Sequence, residues 1–178
     1  MSQPLSLSEV NTLSPAEFVS RFGDIAEHSP WVAKHAGAMR PYADHAAMVL
    51  AFQTAILQAS EDLQHALILA HPDLAGRAAR QGAVADESKR EQAGAGLATL
   101  TDAEFERFHR LNDTYRARFG FPFIFAVTGA SKYQILDAFE NRVGGTMAEE
   151  RLTAIAQILR IVRFRLESRV TQEGATRQ

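Results

Sequence analysis

Four side chains, His71, Ser88, Glu91 and Gln92, combine a proton carrier with groups that recognise amides. His71 follows the apolar run ALILA and precedes Pro72, whose ring disfavours the α region for the residue before it. The helix is therefore expected to stop here and turn the imidazole out. The negative end of that helix and the Glu91 carboxylate both favour imidazolium, a form suited to general-acid work near neutral pH. The plainer alternative for His71 is a cap on terminal carbonyls. Ser88, Glu91 and Gln92 fall at i, i+3 and i+4, which puts a hydroxyl, a carboxylate and an amide on one helix face. On an anonymous helix such groups are solvated; together they can bind a ligand that offers several N–H donors and a carbonyl acceptor.

Two further segments bear on chemistry. Arg165 lies among Arg160, Arg163 and Arg169. That face reads either as a solvated stripe or as a guanidinium fork gripping a carboxylate at two points. The run FPFIFAV from Phe121 to Val127 is core, yet an extended backbone there can offer N–H and C=O groups to a polar ligand. Other chemistries are disfavoured. The histidines at 28, 35, 45, 65, 71 and 109 form no HExxH pair, and cysteine is absent, so no metal site is expected. Serine-hydrolase and Walker patterns are missing. Asn112-Asp113-Thr114 matches a glycosylation sequon by chance, inside a predicted helix.

The elements that must position these groups read as helices. Ser14-Pro15 with Glu17 supplies an N-cap, a proline at N1 and a glutamate at N3, and Ser29-Pro30 repeats the cap and proline. Residues 44–59 and 61–70 carry apolar positions such as Met48, Ala51, Phe52, Ala55 and Ile56 at helical spacing, with Ser60 capping the second. Residues 81–86 read as a loop and 87–97 as a helix, with Gly94 and Gly96 permitting close packing. Thr101 and Glu104 open a helix that runs to Phe119 and is closed by Gly120. Residues 131–143 are helical again, and Thr146 caps a final helix to about Val170. With no alternating strand series, the expectation is an all-α single compact helical domain of about eight helices, with its core over 11–170 and residues 171–178 disordered.

Length and composition agree with one domain: 178 residues, of which 46% are hydrophobic, can bury a substantial core. A formal charge of −2, from 19 basic and 21 acidic side chains, provides no field for nucleic acid or an anionic membrane. The N-terminus lacks a basic region followed by an apolar stretch, no apolar run is long enough to span a bilayer, and the chain ends in TRQ. A cytoplasmic protein is expected.

The motifs HPDLAG at 71–76, S..EQ..AGL at 88–97, LN..Y at 111–115 and RFGFPFI at 118–124 occur in order, preceded by SPW at 29–31 and Arg40-Pro41-Tyr42. With Arg165-Leu166, they resemble the 2-oxo-4-hydroxy-4-carboxy-5-ureidoimidazoline (OHCU) decarboxylases, which complete the conversion of urate to (S)-allantoin. The likeness runs from Asn11 to about Leu166. It implies a cofactor-independent carboxy-lyase acting on an anionic ureidoimidazoline, with His71 and Glu91 catalytic. It further implies substrate contacts from Pro72, Ser88, Lys89, Arg90, Glu91, Gln92, Arg165 and the stretch Phe123, Ile124, Phe125, Ala126 and Val127. Family members are commonly homodimers. The alternative is a non-catalytic helical interaction protein that keeps these motifs for packing.

Overall fold

The computed structural model describes residues 3–75 and 86–171. Nine α-helices are present among them: α1 (Leu7–Thr12), α2 (Pro15–Phe22), α3 (Pro30–Gly37), α4 (His45–Leu57), α5 (Glu61–Leu69), α6 (Asp86–Gly94), α7 (Asp102–Phe119), α8 (Lys132–Arg142) and α9 (Met147–Arg169). The chain divides into two compact units, residues 1–70 with 159–178 and residues 71–158. The only sheet among the described residues is a two-residue parallel pair, β1 (Leu5–Ser6) with β2 (Val170–Thr171), in the register Leu5 to Val170 and Ser6 to Thr171. An all-α class is what the structure has. The predicted loop at 81–86 and disordered tail at 171–178 lie, apart from Asp86 and Thr171, outside the described residues.

Cap chemistry sets most helix starts. Ser14 with Glu17, Thr101 with Glu104 and Ser131 with Gln134 each close a reciprocal capping box, and Ser60 accepts from the Leu63 N–H. Thr146 and Glu149 make the same reciprocal bonds at the start of α9. Ser29 departs from expectation. Its hydroxyl makes no capping bond, because its backbone, at φ −125° and ψ 62°, leaves the extended geometry that aims an N-cap oxygen into the helix. α1, with its own Ser6–Glu9 box, and the β1–β2 pair are additions to the sequence reading. α6 ends at Gly94, earlier than predicted, and a 3₁₀ turn follows at Leu97–Thr99. Gly94 and Gly96 do not serve close packing: a side chain at either would meet nothing within 4 Å. Gly96 instead supplies a left-handed turn at φ +80°.

The unit of residues 1–70 and 159–178 is built on Phe18, Phe22, Phe52, Met48, Ile56 and Leu166, all fully buried, with the Phe18 and Phe22 ring centroids 4.8 Å apart. The Arg-Pro-Tyr motif serves this core. Tyr42 donates from its hydroxyl to the Ala36 carbonyl at 2.7 Å and exchanges two hydrogen bonds with Asn11, while the Arg40 guanidinium sits over the Phe18 ring at 4.6 Å. The unit of residues 71–158 is organised by aromatics. On α7, Phe105, Phe108, Asn112, Tyr115 and Phe119 fall three or four residues apart and turn one face inward. Phe123 stacks on Phe139 from α8 at 3.8 Å with 10° between the rings.

Candidate active site

In the unit of residues 71–158, His71 begins the loop that follows α5. Pro72 stops the helix as anticipated, and Leu69 is the last helical residue. The imidazole does not turn out to solvent: His71 is 6% exposed and its Nε2 is shut away from water. The reason lies downstream, where the loop folds back and is tied to two helices. The Ala75 N–H donates to Oε1 of Gln92 on α6 at 3.0 Å, and Nδ2 of Asn112 on α7 donates to the Leu74 carbonyl at 2.9 Å; both bonds are buried. The Asp73 carboxylate accepts from Nε of Arg116 at 2.9 Å. Ala75 adopts φ +51°, a left-handed conformation that costs an L residue about 1–2 kcal/mol, and its bond to Gln92 offsets part of that.

Of the predicted row on α6, Ser88 and Gln92 are buried, Glu91 and Lys89 are half-buried and Arg90 is exposed. Gln92 is only partly available for a ligand: its amide oxygen is committed to Ala75, which leaves its NH2 donors.

The segment Phe123–Val127 is neither helix nor ladder, as FPFIFAV suggested, and all but Phe125 of its residues are buried. Its polar backbone is tied to side chains. The Ile124 carbonyl accepts from Nη1 of Arg142 at 2.7 Å, and the Ala126 N–H donates to Oε1 of Gln157 at 2.9 Å. These two residues are two apart, the spacing at which an extended chain points its polar groups to one side. The intervening Phe125 makes no backbone hydrogen bond among the described residues. Arg142 is itself held by the Glu150 carboxylate at 2.8 Å, and Glu150 also accepts the Tyr115 hydroxyl. Burial first, then that hydrogen bond, push the Tyr115 phenol above its ordinary range.

Arg165 belongs to the other unit and is no part of a solvated stripe. It is 3% exposed; its Nη2 pairs with the Glu27 carboxylate at 2.9 Å and its Nη1 donates to the Ile25 carbonyl at 3.2 Å. Arg160 and Arg163 are exposed, and Arg163 pairs with Glu167 one turn away. Among the described residues no three His, Asp or Glu side chains group as a metal cluster, and no helix is long and apolar enough to cross a membrane.

Sequence reasoning missed Asn112, Arg116, Arg142, Gln157 and Glu27. For Asn112 a signal existed: it is the polar member of the 105, 108, 112, 115, 119 series, a buried amide in an otherwise aromatic stripe.

Comparison with known proteins gives this arrangement a context. The OHCU decarboxylase family profile matches residues 11–167. An OHCU decarboxylase of Haloferax volcanii is 41% identical over 95% of this chain and 98% of its own length, and one of Amia calva is 36% identical over 92% and 93%. A solved (S)-allantoin synthase superposes with a TM-score of 0.74 at 32% identity, covering 94% of this chain and 54% of that one. An OHCU decarboxylase structure obtained with (S)-allantoin shares the fold, with a TM-score of 0.62 at 19% identity over 76% of this chain and 87% of the other. The profile match and these identities together place the chain in the OHCU decarboxylase family.

Proposed function

We propose that this protein is a carboxy-lyase that converts 2-oxo-4-hydroxy-4-carboxy-5-ureidoimidazoline to (S)-allantoin and carbon dioxide in urate degradation. The observation that carries the proposal is the buried bond between Gln92 and Ala75, which ties the loop of His71 to the helix of Ser88 and Glu91. Two motifs separated in sequence thereby share one locus of proton donor and amide-binding groups.

The chemistry asks little beyond such groups. The bond to the carboxylate breaks, carbon dioxide leaves, and the electron pair enters the ring, where the neighbouring C=N group delocalises it. A proton is then added to one face of the carbon bearing the ureido group. His71 delivers it, and Glu91 orients the donor and the substrate. Ser88, the Gln92 NH2 group, Lys89 and Arg90 line the ureido side, while Pro72 and the backbone of Phe123, Ile124, Phe125, Ala126 and Val127 shape the ring site. The family resemblance also assigns Arg165 a substrate contact, on a retained polar group rather than the departing carboxylate, since clamping the latter would stabilise the ground state as well.

A single domain and a cytoplasmic location, both expected from the sequence, and a homodimer, which the resemblance implies, complete the proposal; cell fractionation and sedimentation test the last two. The central experiment adds purified protein to freshly generated substrate and follows optical activity. Rapid appearance of (S)-allantoin is expected, and formation of racemic product at the spontaneous rate would overturn the assignment.

A further inference from the structure

One peptide group in the His71 loop is gripped at both ends. Its carbonyl, on Leu74, accepts from Asn112 Nδ2 at 2.9 Å, and its N–H, on Ala75, donates to Gln92 Oε1 at 3.0 Å. A trans peptide is planar and points these two groups in opposite directions, so two amides on different helices fix both its position and its rotation. The partner atoms leave no freedom in how the amides are turned. A carbonyl can only meet the NH2 of Asn112, and an N–H only the oxygen of Gln92. Upstream, Arg116 holds Asp73, and the Pro72 ring removes one backbone torsion. The gripped peptide lies only three residues beyond His71, and Asp73 is held between them.

Asn112 is costly as a packing residue. It is 4% exposed in the stripe of Phe105, Phe108, Tyr115 and Phe119, and its Oδ1 is buried with no hydrogen-bond partner among the described residues. An apolar side chain of similar shape would fill the stripe without burying an unsatisfied oxygen. What only the amide supplies is the donor to Leu74.

Resting on the reading of His71 as proton donor, we propose that Asn112 is a positioning residue for the decarboxylation, holding the His71 loop in register so that the proton reaches one face of the substrate. It touches the Leu74 carbonyl and acts through the loop.

The test separates this role from a structural one by the handedness of the product. Asn112→Leu keeps the branched shape of the parental side chain and Asn112→Val is closer to it in volume; neither has a group that can donate to a carbonyl. Each is assayed at enough enzyme for the catalysed route to dominate, alongside a thermal melt and His71→Ala as control. The expected result in whichever variant folds is a kcat lower by roughly 10- to 100-fold with KM within about twofold, since a misplaced catalytic group costs about that much. The enantiomeric excess of (S)-allantoin falls as well, because the proton arrives from a displaced donor or from solvent. A variant with parental kcat and parental enantiomeric excess, whatever its melting temperature, overturns the proposal. If His71→Ala itself works at the parental rate, the reading of His71 fails instead; an inactive His71→Ala beside a fully active, stereospecific Asn112 variant condemns the positioning role alone.

Discussion

Arg142 and Glu150 form a half-hidden ion pair, 2.8 Å apart, whose cation also donates to the Ile124 carbonyl. Glu150 is 3% exposed and is further held by the Tyr115 hydroxyl. Removing the cation leaves a buried carboxylate without its counter-charge. Arg142→Met should therefore cost about 3–5 kcal/mol. Adding Glu150→Gln should recover part of that loss, because the remaining group is neutral and can still bond to Tyr115. Melting curves of the two single variants and the double variant measure the coupling; additive losses would mean that the pair does not act as a unit.

Tyr115 and Tyr42 are two of the three tyrosines, and burial is the first cause of a raised phenol pKa in each. A raised folded-state value means that the folded protein binds a proton which the unfolded chain releases near pH 10. Their contribution is complete below that pH and is lost as pH rises toward the folded values. Alkaline difference spectroscopy should show at most one tyrosine ionising while the protein is folded, with the others appearing together with unfolding. Early ionisation of all three in folded protein would contradict the burial described.

His71→Ala removes a buried imidazole and should cost about 2–5 kcal/mol as a large-to-small change, within the stability of a folded domain. Catalysis should nevertheless fall by about 100-fold or more, the contribution of a positioned general acid. Combined with Glu91→Gln, the loss should be smaller than the product of the separate losses if the two act together. Steady-state decarboxylation beside thermal melting checks this, and parental turnover in His71→Ala would end the mechanism.

Gln92 separates folding from binding within one side chain. Gln92→Leu removes the acceptor for the Ala75 N–H and should cost about 1–3 kcal/mol. Gln92→Glu keeps an oxygen for Ala75 but loses the NH2 donors and buries a carboxyl group, so KM should rise while stability falls at neutral pH and recovers as acid protonates the carboxyl. Parental melting of Gln92→Leu would show that the bond contributes nothing to stability.

What could be read from the sequence follows the range of the interactions involved. Capping pairs such as Ser14 with Glu17 or Thr101 with Glu104 lie three residues apart, so local chemistry decides them. Ser29 has the same cap residue and proline but not the backbone angles, which depend on how the chain enters α3. The helix stop at His71 was readable from Pro72 alone. Its burial was not, because Gln92 and Asn112 reach the loop from 17 and 38 residues away. Arg165 was ambiguous for a related reason. Four arginines near one another in sequence are alike, and only Glu27, 138 residues distant, sets one apart.

The β1–β2 pair joins positions 5 and 170, nearly the whole described length, through only two residues on each strand. Closing so long a loop carries a large entropy cost for few backbone bonds. Such a tie contributes little to nucleation and opens with the smallest free energy, as a fraying end rather than with the global transition. In native-state hydrogen exchange the amides of Leu5, Ser6, Val170 and Thr171 should lose protection well before those of α4 or α7. The two chain ends act as a clasp fastened last and released first.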